Sequence, residues 1–219
     1  MDSNCRGRAK TPALEQIRIL VVDDHPLLSE GLATVIRNQP DMVLVGEACS
    51  GREAVQCFEA CRPHVTLMDL RLPDISGIDA MIAIRSKYTR AHFIILTTFA
   101  GDAEIQRALE AGARAYVLKT VPPAKLVDII RQVHEGKKRI PSEIATSLAE
   151  HYSDEQLTPR EVDILGQLAG GNRNRDIAEK LFIAEETVKA HLKHIMEKLH
   201  ANDRTQAVSI GVRRGIIQL

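Results

Sequence analysis

The chain has 219 residues, enough for two modest domains that each bury a core, and its 44% hydrophobic content is ordinary for globular protein. Lys plus Arg and Asp plus Glu both number 29, so there is no overall basic field, and any nucleic-acid binding must come from a local basic face. The four cysteines (Cys5, Cys49, Cys57, Cys61) form no CxxC pair, which argues against zinc and for free thiols in a reducing compartment. No apolar run reaches the roughly 18 residues of a membrane span, and the first fourteen residues are polar and mixed, so no membrane association and a cytoplasmic location are expected.

Residues 1–14 read as a flexible N-terminus. From Ile17 to about His134 short apolar runs alternate with amphipathic stretches. IRILVVDD, MVLVGEA, HVTLMDL, HFIILTT and RAYVLKT are strand-like, and helical patterns begin near Pro26, Gly51, Ser76, Asp102 and Pro122. Five such β-α pairs predict an α/β, doubly wound, five-stranded parallel sheet covered on both faces, with a domain spanning 15–135. Residues 136–154 break the rhythm with a polar, basic start and a short helical pattern, and read as a linker with one helix.

From 155 to 219 only four short helical patterns follow, predicting an all-α domain. Thr158, Pro159 and Glu161 make a capping box with Pro at the first helical position, and Gly170 and Gly171 end that helix. Further helices are expected from about Arg173 to Leu181, from about Glu185 to Leu199, and from Asp203, where Asp203 and Gln206 offer a second box. Helix, tight connection, helix is the outline of a DNA-binding motif.

In an open parallel sheet ligands bind outside the carboxyl ends of the strands. Those ends carry Asp23 and Asp24, Asp69, Thr97 and Thr98, and Lys119. Carboxylates that meet at one edge repel one another unless a hard cation sits among them, and an all-oxygen set suits Mg2+. Asp69 could then attack a phosphoryl group to give an acyl phosphate while Lys119 and a Thr hydroxyl hold its oxygens. Pro73 and Gly77 fit a sharp loop beside the acceptor, with Gly77 free to take positive φ.

VVDDHP, MDLRLPDISG, ILTT and YVLK resemble the flavodoxin-like receiver domain of two-component response regulators. The resemblance implies Asp69 as phosphoacceptor, Asp23, Asp24, Asp69 and the backbone carbonyl of Arg71 as magnesium ligands, and Thr97 with Lys119 on the phosphoryl oxygens. It also implies a switch in which Tyr116 changes rotamer as Thr97 is pulled inward, and it favours Thr97 over Thr98. One departure is Thr120, which stands where many receivers have proline directly after the lysine.

Winding Thr187 to Leu199 at 100° per residue places Val188, Leu192, Ile195, Met196 and Leu199 on one arc and turns Lys189, Ala190, Lys193 and His194 outward. LTPREVDIL, GGNRNRDIAEKLF, ETVKAHLKHIMEKL and NDRTQAV resemble the LuxR-type helix-turn-helix of the NarL/FixJ subfamily. That implies a recognition helix over 185–199 whose Lys189, Ala190, Lys193 and His194 approach double-stranded promoter DNA, joined by Arg175 and Arg204. Ala184 departs from the Ser often found at the start of this helix and cannot cap by side chain.

The expectation is thus a transcription regulator phosphorylated by a sensor histidine kinase and dimeric when phosphorylated, with no enzymatic activity beyond self-phosphorylation and slow autodephosphorylation. Two alternatives are a regulator that acts without phosphorylation and an aspartyl-nucleophile phosphohydrolase. The latter usually carries an acid two residues after the nucleophile, where this chain has Arg71.

Overall fold

The computed structural model describes residues 16–98, 101–140 and 156–217. The proposed flexible N-terminus and the linker helix lie outside these residues. Five strands form one parallel sheet: β1 (Ile17–Val22), β2 (Met42–Ala48), β3 (Val65–Asp69), β4 (His92–Thr97) and β5 (Ala115–Leu118), in the spatial order β2-β1-β3-β4-β5. Between and after them run α1 (Pro26–Arg37), α2 (Gly51–Cys61), α3 (Gly77–Lys87), α4 (Asp102–Glu110) and α5 (Pro123–His134).

The sheet is buried on both faces, and the two-residue period of a strand decides which helices each side chain meets. Ile19, Val21, Leu67, Ile94, Leu96 and Val117 pack with Leu32 and Ile36 of α1 and Leu126, Val127 and Ile130 of α5. Their neighbours Leu20, Val22, Met68, Phe93, Ile95 and Tyr116 pack with Phe58 of α2, Met81 and Ile84 of α3 and Ile105 of α4. A one-residue slip in any central strand would exchange these sets, so the register is strongly specified. Beyond α5, Arg139 runs beside β5, accepting from Tyr116 N at 3.2 Å and donating to Arg114 O at 2.8 Å.

Helix starts follow local chemistry. Ser50 Oγ accepts from Glu53 N at 3.2 Å to begin α2, and Ser76 Oγ accepts from Asp79 N at 3.1 Å to begin α3. Pro26 and Pro123 open α1 and α5, where a missing N–H is harmless.

The second half is helical: α6 (Pro159–Ala169), α7 (Asn174–Leu181), α8 (Glu185–Lys198) and α9 (Arg204–Arg213). Its core gathers Ile164, Leu165, Leu168, Ile177, Val188, Leu192, Ile195 and Leu199, so the arc deduced for α8 is the buried one, with Met196 at its margin. The Thr158 box forms in full, with Glu161 N donating to Thr158 Oγ1 at 3.3 Å and Thr158 N to Glu161 Oε2 at 2.8 Å. The second box is reciprocal only in part. Asp203 Oδ1 accepts from Gln206 N at 2.8 Å, but Gln206 Oε1 reaches one residue further back, to Asn202 N at 2.6 Å. Ala184 supplies no side-chain cap to α8.

Candidate functional site

The carboxyl ends of β1, β3, β4 and β5 meet along one edge. Asp23 and Asp69 are buried there, while Asp24 stays at the rim. Lys119, just past β5, lies between the two buried carboxylates: its Nζ donates to Asp69 Oδ2 at 2.7 Å and comes equally close, 2.7 Å, to Asp23 Oδ2 as an ion contact. Lys119 N donates to Thr97 O at 2.7 Å, which locks the end of β4 to the lysine that follows β5.

The electrostatics follow from this crowding. Burial, helped by the charge of Asp23, lifts the Asp69 carboxyl above its ordinary value even against the pull of Lys119. Burial works against the Lys119 charge too, yet its pairing with the carboxylates of Asp23 and Asp69 outweighs that and raises it. Asp23, Asp24, His25 and Asp69 each offer a ligand atom, all within 4.8 Å of one another, so the donor set fits a divalent cation. Arg71 N donates to Asp69 Oδ1 at 3.3 Å, which keeps the Arg71 main chain beside the carboxylate.

Of the two threonines, Thr97 is buried at the end of β4 and Thr98 is exposed. Tyr116 is fully buried and hydrogen-bonded with Thr97, and burial pushes its phenol above the usual range. Gly77 requires a correction. It does not adopt a positive φ; it is the first residue of α3, where a Cβ would sit 1.9 Å from the Asp69 carbonyl oxygen. Close approach of α3 to the β3 end, and not a left-handed turn, is what demands glycine.

Two residues escaped the sequence reasoning. His25 follows the acidic pair directly, and its Nδ1 lies 2.8 Å from Asp24 Oδ1 and 3.3 Å from Asp23 Oδ1. Only its position in VVDDHP hinted at this. Asp74, five residues after Asp69, accepts from Gly51 N (2.7 Å), Arg52 N (3.0 Å) and Ile75 N (2.7 Å). Although desolvation opposes its charge, these backbone donors hold its carboxyl down to about 2, so Asp74 anchors the β3-α3 loop on the N-terminus of α2.

In the helical half, Lys189, Ala190, Lys193 and His194 are exposed along α8, and Arg175 on α7 and Arg204 on α9 are exposed as well. The lysines are not isolated charges. Lys189 Nζ lies 2.7 Å from Glu186 Oε1 and 3.7 Å from Glu185 Oε1, and Lys193 Nζ lies 3.8 Å from Glu197 Oε1. Arg175 pairs with Glu179 at 3.0 Å, and Arg204 Nη2 donates to Asn172 O at 3.4 Å.

Comparison with known proteins bears on both halves. Residues 19–131 match the response regulator receiver domain, and residues 155–210 match the bacterial regulatory proteins of the luxR family. The chain is 39% identical to the "uncharacterized transcriptional regulatory protein YxjL" of Bacillus subtilis strain 168, over 93% of this chain and 99% of the relative. It is 37% identical to the transcriptional regulatory protein LiaR of the same organism, over 92% and 99%. Among solved structures, the response regulator ChrA of a heme-sensing two-component system is 34% identical, with a TM-score of 0.55 over 93% of this chain and all (100%) of that one. No described helix is long and apolar enough to cross a membrane. A parallel-sheet receiver with a carboxylate-lined edge, followed by a helix-turn-helix of the luxR type, places the chain in the two-component response regulators, as a transcription regulator with a LuxR-type DNA-binding domain.

Proposed function

We propose that this regulator is switched by magnesium-dependent phosphorylation of Asp69, with a sensor histidine kinase as donor, and that the phosphorylated chain dimerises on promoter DNA. The observation that carries this reading is Lys119 held between the buried carboxylates of Asp23 and Asp69. A carboxylate oxygen of Asp69 attacks phosphorus, the phosphorus–nitrogen bond of the donor phosphohistidine breaks, and an acyl phosphate forms while the imidazole departs. Magnesium, held by Asp23, Asp24, Asp69 and the Arg71 carbonyl, would supply neutralisation of the phosphoryl oxygens. Lys119 and Thr97 grip the phosphoryl oxygens once they are in place, and the hydrogen bond between Thr97 and Tyr116 carries the displacement of Thr97 into the packing beneath α4.

On the output side, Lys189, Ala190, Lys193 and His194 present two long cations around a small residue, a surface that admits a major groove closely, with Arg175 and Arg204 at its flanks. Two such surfaces in a symmetric dimer read two half-sites.

Acetyl-phosphate labelling with and without magnesium, on wild type and Asp69→Asn, tests the switch. Wild type is expected to take up label only with the metal, and the variant none. Label on Asp69→Asn, or promoter binding by that variant as tight as by phosphorylated wild type, overturns the proposal.

A further inference from the structure

Among the described residues the most exposed large apolar side chain is Phe182, 94% accessible, whereas Phe58 and Phe93 are buried in the receiver core. An exposed apolar residue alone requires no explanation. Phe182, however, is also held at φ 55 and ψ 46, in the left-handed region, where it caps α7. Glycine or asparagine takes that conformation readily, while a bulky L-residue there crowds its own main chain. The fold thus accepts backbone strain at a ring that stands in water.

The neighbours of Phe182 enforce that conformation. Ile183 N donates to Ala178 O at 3.0 Å and Phe182 N to Glu179 O at 3.4 Å, which closes the end of α7. Leu181 and Ile183 both pack on the helical core. With the residue on each side turned inward, the ring between them is aimed outward.

What it meets follows from its place in the motif. Only Ile183 and Ala184 separate Phe182 from Glu185, the first residue of α8. A recognition helix brings its N-terminal residues to the base edges, so the turn that leads into it lies at the mouth of the groove. Arg160 sets a cation at the same turn, its Nη2 donating to Leu181 O at 2.6 Å, which suits a polyanion close by. Phenylalanine cannot bind a phosphate, but the major groove offers it one apolar group, the C5-methyl of thymine.

We infer that Phe182 is a specificity-determining contact of the DNA-binding half, its ring closing over a thymine methyl beside the bases approached by α8. This rests on the reading of α8 as recognition helix and adds a base that its lysines do not read. The strained turn holds the ring in place before DNA arrives, so little freedom is lost on contact.

Full-length wild type, Phe182→Asn and Lys189→Ala, each treated with acetyl phosphate and magnesium, test the contact. They are titrated on a duplex selected from a random pool by wild type, and on copies in which each thymine in turn is replaced by deoxyuridine, which lacks only the methyl. At one thymine wild type is expected to lose about four-fold in affinity, the worth of one buried methyl. Phe182→Asn should bind the parent duplex at least that much more weakly and be indifferent to deoxyuridine at the same position. Its dependence on salt should match wild type, because no charge has changed, and it should melt no lower, because asparagine accepts the left-handed turn. Wild-type affinity of Phe182→Asn for the parent duplex, or the same relative loss by both proteins on every deoxyuridine copy, overturns the contact. The two readings fail separately. Lys189→Ala with wild-type affinity and salt dependence defeats α8 as the recognition helix, whereas a silent Phe182→Asn beside a weakened Lys189→Ala defeats the Phe182 contact alone.

Discussion

Lys119 Nζ stands 2.7 Å from an oxygen of Asp69 and 2.7 Å from an oxygen of Asp23, so one ammonium neutralises two buried acids. The pocket is short of one positive charge, and substitutions on its two sides should have opposite signs. Lys119→Met leaves both carboxylates without their cation and is expected to lower stability by about 1–3 kcal/mol, read as a lower urea midpoint. Asp69→Asn relieves the crowding and should raise that midpoint at neutral pH. The sign with pH follows from linkage: the folded Asp69 carboxyl titrates above its ordinary 3.8, so its ionisation disfavours the fold as pH rises through the folded value. The advantage of Asp69→Asn should therefore vanish on acidification to below pH 3.8; an advantage independent of pH would contradict it.

Gly77→Ala drives a methyl to 1.9 Å from the Asp69 carbonyl oxygen, and α3 must withdraw from β3. A cost of about 1–3 kcal/mol is expected, as for overpacking a rigid site. Under the proposed switch, acyl-phosphate formation should slow as well, because Gly77 N donates to Leu70 O at 2.9 Å and fixes the loop after Asp69. Thermal unfolding and labelling rates on the same preparation check both, and an unchanged melting temperature would show that the backbone relaxes freely.

On the DNA side, Glu186 holds Lys189 at 2.7 Å within its own helix. Glu186→Gln frees that cation and removes a charge that repels phosphate, so affinity should rise about two-fold, in line with the 0.2–0.5 kcal/mol of an exposed helical pair. Lys189→Ala should weaken binding and, in a symmetric dimer, flatten the slope of log affinity against log salt by about two. An unaltered slope would mean that Lys189 touches no phosphate.

At the opposite edge of the sheet, burial depresses the His92 imidazole, and Arg114, His134, Arg85 and His64 around it push the same way. The unfolded chain therefore binds the proton more readily than the fold. Stability should fall as pH drops below His92's ordinary 6.5. In His92→Gln the loss between pH 6.5 and 5 is expected to shrink; parallel denaturation curves for the two proteins across that range would exclude His92 as the cause.

The strands were legible because burial on both faces writes them as continuous apolar runs, and the site could be traced because four of the five runs are closed by a polar or charged residue: Asp23, Asp69, Thr97 and Lys119. The outward face of α8 followed from its period, since Val188, Leu192, Ile195 and Leu199 leave no other side for Lys189 and Lys193. The reason for glycine at 77 was hidden because it depends on how near α3 comes to Asp69, a distance that no local pattern encodes. The same holds for Asp74, whose partners Gly51 and Arg52 lie 23 and 22 residues away. Gly101 is a further case: a Cβ there would lie 2.6 Å from the carbonyl oxygen of Arg214, 113 positions along the chain.

Lys198, at the last turn of α8, donates to Glu161 Oε2 at 2.9 Å and to the carbonyl of Gln156 at 3.3 Å, while Glu161 also closes the cap of α6. The segment that enters the helical half is thus tied to the C-terminal end of α8. Because the one oxygen Glu161 Oε2 serves both the cap of α6 and Lys198, loss of that carboxylate would loosen the start of α6 and the end of α8 together.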